Sequence, residues 1–278
     1  MRFKGKTAVV TGGTSGIGKE TALRLVKEGA EVLFTGRDES RAEQALQELE
    51  KLGGRAYFQQ QDVTKTEDWL RVAEQVEKTF GRLDVLVNSA GVFTYGAIED
   101  TTYEEFKNVW RSNVDSVLLG MKHLLPLLEQ ASGVASVVNV SSLSGVMGHP
   151  DCVCYCTSKA GSLMLTRVMA LEAAPKVRVN AVAPGPVWNE LLERAHAGQD
   201  KEEMQEYYRE SQPMKFLGDS SDVANGILYL ASDAARYVTG TIFRIDAGRG
   251  GGAGIVAGCV VYFGQQFLQK YLSKDRKS

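Results

Sequence analysis

The sequence predicts an α/β fold: a single-domain, doubly wound parallel sheet of about seven strands with helices on both faces. Three observations predict it. Short apolar runs alternate with amphipathic helical patterns along the chain, and most of these runs end in Gly, Asn, Asp or Ser. The runs are continuously apolar, which indicates burial on both faces of a sheet. In such folds ligands bind at the carboxyl ends of the strands.

The strands are predicted at 7–10, 31–34, 56–58, 85–87, 136–140, 177–182 and 241–245. Helices are predicted at 18–28, 39–52, 67–80, 103–129, 157–174 and 221–231. The first helix shows the periodicity well, because Ala22, Leu23, Leu25 and Val26 fall on one face. No Pro- or Ser-rich linker interrupts residues 1–248, which are therefore interpreted as one domain.

Composition limits the function classes. The 278 residues are 44% hydrophobic and 24% charged, which is enough to bury one large core. The net charge of -2 provides no basic surface for a phosphate backbone, so we expect a small-molecule ligand and no nucleic acid. Lysines interrupt the N-terminal apolar stretch and no cleavage pattern follows it. We therefore expect an intracellular, cytoplasmic protein.

The four cysteines are too few and too clustered for a disulfide scaffold. Three of them form the run CVCYC, at Cys152, Cys154 and Cys156, and the fourth is Cys259. This spacing is tighter than the C-x₂-C of ordinary zinc sites, and no fourth ligand is evident. We expect no metal, and reduced thiols that pack as small hydrophobic groups.

A glycine-rich stretch, VVTGGTSGIG at residues 9–18, follows the first predicted strand and opens the first helix. Free backbone N–H groups and the helix dipole favour an anion at such a position. Glycines also let a pyrophosphate approach the backbone closely. The alternative is a turn that only reverses the chain. The place of the glycine-rich stretch between a strand and a helix favours dinucleotide binding.

Further motifs recur downstream in a fixed order. They are Asp62-Val63, Asn88-Ser89-Ala90-Gly91, Asn113, Ser142, Tyr155-Cys156-Thr157-Ser158-Lys159 and Pro184-Gly185-Pro186-Val187. Together with the TGxxxGxG turn, they resemble the short-chain dehydrogenase/reductase family over residues 5–248. The resemblance implies a Rossmann-like fold and hydride transfer between a nicotinamide and a ketone or secondary alcohol. It also implies a homodimer or homotetramer formed through helices 103–129 and 157–174.

The chemistry needs a group that exchanges a proton with the substrate oxygen, and Tyr155 is the candidate general acid/base. Lys159 lies four residues later, on the same helix face, where its ammonium is expected to lower the phenol pKa. The resemblance also assigns Lys159 to the nicotinamide ribose, Ser142 to the substrate oxygen and Asn113 to a water-linked proton relay. Taken singly, each motif has a plain structural alternative, such as a surface Tyr–Lys pair or serines that cap a strand.

The resemblance assigns cofactor contacts to Gly12, Thr14, Ser15, Gly16, Ile17, Gly18, Arg37, Asp62, Val63, Ser89, Ala90, Gly91, Tyr155, Lys159, Pro184, Gly185, Val187 and Asn189. An acidic residue at the end of the second strand binds the ribose hydroxyl of NAD, whereas an arginine accommodates the phosphate of NADP. Here Gly36 is followed by Arg37, which favours NADP(H), with NAD(H) the alternative. Asp38, next in the sequence, adds a negative charge beside the positive charge of Arg37. The family pattern is altered at Ser89, Asn189 and Ala247.

The resemblance places residues 188–216 at the family's variable substrate lid. Candidate walls of a substrate site are Phe93, Tyr95, Met147, His149, Trp188, Met214 and Phe216. His149 is interpreted as a loop residue and not as a catalyst. The substrate is predicted only as a carbonyl compound or alcohol, and a non-catalytic dinucleotide sensor or scaffold on the same fold is the alternative function.

Residues 249–278 form a C-terminal extension that is glycine-rich and apolar and then basic, with Lys270, Lys274, Arg276 and Lys277 near its end. Its uncharged part has the length of a spanning helix but contains three glutamines and many glycines. Two interpretations stay open: a tail that packs on a neighbouring subunit, and a tail that associates with a membrane.

Overall fold

The computed structural model describes residues 1–251, which form a seven-stranded sheet with helices on both faces. The strands are β1 (Thr7–Thr11), β2 (Glu31–Gly36), β3 (Ala56–Gln60), β4 (Val85–Asn88), β5 (Ala135–Val140), β6 (Val177–Pro184) and β7 (Ile242–Ile245). The helices are α1 (Gly16–Lys27), α2 (Glu39–Glu50), α3 (Thr66–Phe80), α4 (Tyr103–Trp110), α5 (Ser116–Leu128), α6 (Val153–Glu172), α7 (Glu190–Ala195), α8 (Lys201–Glu210) and α9 (Ser220–Ala231). The predicted α/β class is confirmed.

All neighbouring strands are parallel, in the order β3-β2-β1-β4-β5-β6-β7. Successive side chains of each central strand enter different cores. Val10 of β1 belongs to the core under α1, α2 and α9, whereas Val9 belongs to the core under α3, α5 and α6. Both valines are fully buried, so the continuous apolar runs of the sequence do reflect a sheet covered on both faces.

The strand order reverses between β1 and β4, and such a switch point opens a crevice at the carboxyl edge of the sheet. The hydroxyl of Thr11, at the end of β1, accepts hydrogen bonds from the backbone N–H groups of Ser89 and Ala90 at 3.0 and 3.1 Å. This pair of bonds fixes the loop after β4 beside the glycine-rich turn after β1.

The helix boundaries differ from the prediction in two places. Helix α6 begins at Val153, four residues earlier than expected, because its first turn is apolar on every side and shows no periodicity. The predicted helix 103–129 consists of α4, a π-helical turn at Arg111–Asp115, and α5. Residues 188–216 contain α7 and α8.

Within residues 1–251 no helix is both long enough and apolar enough to span a membrane. Of the predicted C-terminal extension, the structure describes only Arg249–Gly251, a short 3₁₀ turn. The remaining predictions for this extension, and those for Cys259, fall outside the described residues.

Candidate active site

A cavity of about 1000 Å³ opens at the carboxyl edge of the sheet, over the β1/β4 switch point. Every residue to which the sequence analysis assigned a cofactor contact lines it, from the glycine-rich turn to Asn189. Ser142 lines the same cavity, whereas Asn113 lies behind its wall. The structure thus brings the distant motifs of the sequence together in one place.

The glycine-rich turn brings backbone to the cavity with almost no side chains. Gly12 and Gly16 have positive φ angles of 64° and 53°, which favour glycine. A Cβ atom on Gly18 would lie 2.3 Å from the Gly12 carbonyl oxygen, so no side chain fits there. Within the described residues Ser15 makes no side-chain capping bond and the first turn of α1 has no acidic residue. These uncapped N–H groups fit a pyrophosphate.

The end of β2 excludes a side chain at the position of an NAD-binding acid. A Cβ atom on Gly36 would lie 2.6 Å from the Thr14 methyl group. Arg37 is exposed at the rim of the cavity. The Asp38 carboxylate caps α2 by accepting the backbone N–H of Arg41 at 3.1 Å. Arg37 and Asp38 both line the cavity, but the Asp38 carboxylate is engaged with the backbone of α2.

Tyr155 and Lys159 lie on the inward face of α6, as their spacing predicted. Tyr155 is 8% exposed and Lys159 is 6% exposed, yet both line the cavity. The Lys159 Nζ donates a hydrogen bond to the carbonyl oxygen of Val140 at 3.0 Å and lies 5.7 Å from the centre of the Tyr155 ring. The carboxyl end of β5 thus fixes the direction of the lysine side chain.

The expected lowering of the phenol pKa is not observed. Burial raises the pKa of Tyr155 to about 12, although a hydrogen bond with Ser142 acts in the opposite direction. Burial lowers the pKa of Lys159 to about 8. Burial removes both groups from water and favours the neutral form of each, the phenol of Tyr155 and the amine of Lys159. At neutral pH Tyr155 is therefore a neutral phenol, a hydrogen-bond donor, and Lys159 is mostly protonated.

The two serines after β5 have different environments. The Ser141 hydroxyl donates to the backbone oxygen of Lys159 and lies 3.0 Å from the hydroxyl of Ser162, which ties the strand to α6. The Ser142 hydroxyl accepts the backbone N–H of Ser144 at 3.1 Å and shares a hydrogen bond with Tyr155. Both serines line the cavity, but only the Ser142 hydroxyl of the two bonds Tyr155.

Asn113 lies in the π-helical turn between α4 and α5 and is 2% exposed. Its amide oxygen accepts the backbone N–H of Val92 at 2.9 Å, and its amide nitrogen donates to the Val92 carbonyl and to the Ser158 hydroxyl, both at 3.0 Å. A Cβ atom on Gly91 would lie 3.0 Å from the Asn113 Oδ1 atom and 3.4 Å from the Lys159 Nζ atom. Asn113 thus joins the loop after β4 to α6, next to the lysine.

Aromatic side chains form the substrate side of the cavity. The ring centres of Phe93 and Tyr155 are 4.5 Å apart, and those of Phe93 and Tyr95 are 4.6 Å apart. The Tyr95 hydroxyl lies 3.1 Å from that of Tyr208, which in turn lies 2.7 Å from His196 Nε2. Tyr208 on α8 was not identified from the sequence; its place in the predicted lid was the available signal.

Four of the candidate wall residues do not line the cavity: Met147, Trp188, Met214 and Phe216. Met214 is 72% exposed and Phe216 is 51% exposed, both in the segment between α8 and α9. Phe93, Tyr95 and His149 do line it. Residues that sequence reasoning missed include Thr35, Arg41, Gln61, Leu143, Cys152, Leu191, Leu192, Arg194, Tyr207, Tyr208 and Arg249.

No group of three or more His, Cys, Asp or Glu side chains is placed to hold a metal ion among residues 1–251. In the predicted cysteine run, Cys152 and Cys154 are buried and Cys156 is partly exposed.

This fold and this cavity define an NAD(P)-dependent oxidoreductase of the Rossmann type. Comparison with known proteins specifies it further. A family model described as enoyl-(acyl carrier protein) reductase matches residues 12–249. The chain belongs to the short-chain dehydrogenase/reductase family.

Individual relatives match along nearly their whole length. An NADP-dependent (R)-specific alcohol dehydrogenase of Lentilactobacillus kefiri is 35% identical over 252 residues, which cover 89% of this chain and 97% of that protein. A 7alpha-hydroxysteroid dehydrogenase of Clostridium sardiniense is 35% identical over 251 residues, which cover 89% and 94%. The solved structure of levodione reductase superimposes with a TM-score of 0.85 and 29% identity over 90% of this chain and 99% of that one.

Proposed function

We propose that this enzyme is an NADP(H)-dependent carbonyl reductase that also oxidises the corresponding secondary alcohols, with Tyr155 as the general acid/base. One observation carries the proposal: the glycine-rich turn and the Ser142, Tyr155 and Lys159 side chains line one continuous cavity. The printed activities of the relatives, which include an NADP-dependent alcohol dehydrogenase and a hydroxysteroid dehydrogenase, support the same reaction class.

The cofactor would lie along the carboxyl edge of the sheet. The backbone of the glycine-rich turn would hold its pyrophosphate, and Asp62 and Val63 would contact the adenine side. The loop Ser89–Gly91 and Lys159 would hold the nicotinamide ribose, with Pro184, Gly185, Val187 and Asn189 around the nicotinamide. When bound, the cofactor supplies or accepts the hydride. The chain's own residues must then control the proton.

A preference for NADP(H) is supported by three features at the end of β2. Arg37 lines the cavity where a phosphate on the adenine ribose would lie. Thr14 fills the space that an acidic side chain at Gly36 would need. The Asp38 carboxylate is engaged as the cap of α2, so it repels a phosphate less than its sequence position suggests.

Tyr155 is assigned the exchange of the proton with the substrate oxygen. Because its pKa is raised, the phenol is protonated at neutral pH and can donate to the oxygen of a ketone as that oxygen gains negative charge. Ser142, which shares a hydrogen bond with Tyr155, would hold the substrate oxygen in place. The positive charge of Lys159 would stabilise the phenolate that remains. In the opposite direction the phenolate would accept the proton of the alcohol.

We propose that Asn113 maintains a water-linked proton relay to Lys159. The side-chain amide is fully engaged with Val92 and Ser158, so we assign it first a positioning role: it keeps the loop after β4 and α6 at a fixed separation. A water-linked relay through this region would restore the proton that Tyr155 gives up.

The substrate is proposed to be a hydrophobic ketone, such as a 3-oxoacyl compound or a ring ketone of steroid-like size. Phe93 and Tyr95 provide aromatic walls next to Tyr155, and α7 and α8 contribute Leu191, Leu192 and Tyr208 from the proposed lid. Closure of residues 188–216 over the substrate would exclude water from the reacting atoms.

The test is consumption of NADPH and of NADH with a panel of apolar ketones, by the wild type and by Tyr155→Phe. We expect turnover with NADPH in the wild type, and loss of turnover with retained NADPH binding in Tyr155→Phe, as followed by fluorescence titration. A protein that binds NADPH but consumes it with no ketone would support the alternative, a dinucleotide sensor. Equal rates in the two proteins would overturn the assignment of Tyr155.

A homodimer or homotetramer is proposed as the assembly. Helices α5 and α6 expose large apolar side chains, with Met164, Val168 and Leu171 along one side of α6 and Leu118 on α5. Light scattering on the eluting protein tests this: a monomer at micromolar concentration would contradict it.

A further inference from the structure

Two cysteines flank Tyr155 at the start of α6. Cys152 is the N-cap residue of the helix, and Cys156 lies one turn further on. The backbone N–H of Cys156 donates to the Cys152 carbonyl at 2.8 Å, and the two thiols share a hydrogen bond. Cys152 itself has non-helical φ and ψ angles of -130° and 31°, so it is the shared hydrogen bond that places the two thiols side by side. The intervening Cys154 has other neighbours, Thr101 and Glu105.

The two thiols have unequal environments. The hydrogen bond from Cys152 lowers the pKa of Cys156 to about 7, with further hydrogen bonds from the His149 backbone and the Ser144 side chain. The pKa of Cys152 is raised by its role in the same bond and by burial. Cys156 is partly exposed, and Cys152 lines the cavity. One sulfur is thus nucleophilic and accessible, and the second is a thiol within reach of it.

We propose that Cys156 and Cys152 form a peroxide-sensitive dithiol whose oxidation to a disulfide switches off the adjacent active site. The Cys156 thiolate attacks a hydroperoxide, its S–O bond forms as the O–O bond breaks, and the leaving oxygen departs as water or alcohol after taking a proton. The Cys152 thiol then attacks the resulting sulfenic acid: an S–S bond forms and a second water leaves. In sum, two thiols are oxidised and one peroxide is reduced.

The geometry explains why closing this bond would stop catalysis. Cβ atoms four residues apart on a helix are about 5–6 Å apart. A disulfide requires about 3.5–4.5 Å. The first turn of α6 must therefore tighten by about 1–2 Å, and this turn carries Tyr155, which packs against Phe93. A shift of about 1 Å at a reacting group can cost about 100-fold in rate.

Cys154 provides a matched control. It lies in the same turn and is as buried as Cys152, at 4% exposure for each. Its electrostatic neighbours are Thr101 and Glu105, and its pKa is raised by burial. Replacing it tests the effect of a serine in this turn without removing either member of the pair.

The experiment uses the full chain, purified with reductant and then exposed to hydrogen peroxide after the reductant is removed. The tryptic peptide 123–159 carries all three cysteines, so its mass reports a bond between any two of them. We expect wild type and Cys154→Ser to lose the mass of two hydrogens from this peptide, together with about 100-fold in turnover, both restored by dithiothreitol. Cys156→Ser should keep its mass and its activity. Cys152→Ser should accumulate a sulfenic acid that dimedone traps.

The activity measurement depends on the proposed function, whereas the mass measurement does not. A peptide that loses two hydrogens in a protein without reductase activity would contradict the proposed function and support the dithiol. Two results would overturn the proposal. One is a bond that disappears in Cys154→Ser. The other is a wild-type peptide that keeps its two hydrogens at peroxide concentrations that oxidise the Cys156 thiol. A disulfide that forms without any loss of turnover would refute the switch.

Discussion

Lys159 is expected to reduce the stability of the fold at neutral pH, because it is a buried ammonium. Its pKa is lowered from 10.5 to about 8. A difference of this size corresponds to a cost of about 3 kcal/mol at pH 7. Lys159→Met removes that cost and forfeits the hydrogen bond to Val140, which is worth about 1 kcal/mol. The net gain of about 2 kcal/mol would raise Tm by about 4 °C in a protein of this size.

The pH dependence gives the sharper test. Below about pH 8 the lysine is protonated in both the folded and unfolded states, so the cost is constant. Between about pH 8 and 10.5 only the unfolded state holds the proton, so wild-type stability should rise relative to Lys159→Met and the gap should close. Thermal unfolding at several pH values measures this, with Lys122→Met on the exposed side of α5 as control. A variant less stable than the wild type at pH 7, or a gap that does not change with pH, would refute the reasoning.

Three further predictions concern the cavity. Ser142→Ala should lower kcat by about 100-fold or more with little effect on stability. Ser141→Ala should instead lower the free energy of unfolding by about 1 kcal/mol. Steady-state kinetics measure the first effect, and denaturant titrations measure the second. Arg37→Ala should raise the KM for NADPH about 10- to 100-fold and leave that for NADH unchanged; equal effects on both cofactors would argue against a phosphate contact. Gly18→Ala should abolish NADPH binding in a fluorescence titration, because its Cβ atom would lie 2.3 Å from a carbonyl oxygen of the turn. Gly148→Ala is the control and should bind NADPH normally, because a Cβ atom there has no heavy atom within 4 Å.

Much of the fold was predictable from the sequence because its signals are local. Each strand is a short apolar run of neighbouring residues. The spacing of the glycines in the turn is likewise visible in the sequence itself. The predicted face shared by Tyr155 and Lys159 followed from helical geometry alone. The apolar start of α6 was predicted less well, because Cys154 and Tyr155 give no periodic contrast.

The electrostatics of the site were not predictable from the sequence. The spacing of Tyr155 and Lys159 predicts that they attract each other, but the desolvation that shifts the pKa of each group depends on burial by the whole fold. The prediction of two substrate-wall residues was wrong for a related reason. Met214 and Phe216 are apolar, but the fold leaves both side chains exposed. Tyr208 reaches the cavity only because α8 is placed over it by tertiary contacts.

Tyr155 is proposed to exchange the proton with the substrate oxygen while hydride passes within the same cavity. The most direct measurement follows deuterium into a model ketone from NADPH that carries deuterium at both nicotinamide C4 positions, with the wild type and Tyr155→Phe compared at equal cofactor saturation. We predict deuterium on the carbinol carbon of the wild-type product and a rate lower by about 1000-fold or more in the variant. Product without deuterium, or an equal rate of transfer in both proteins, would contradict the account.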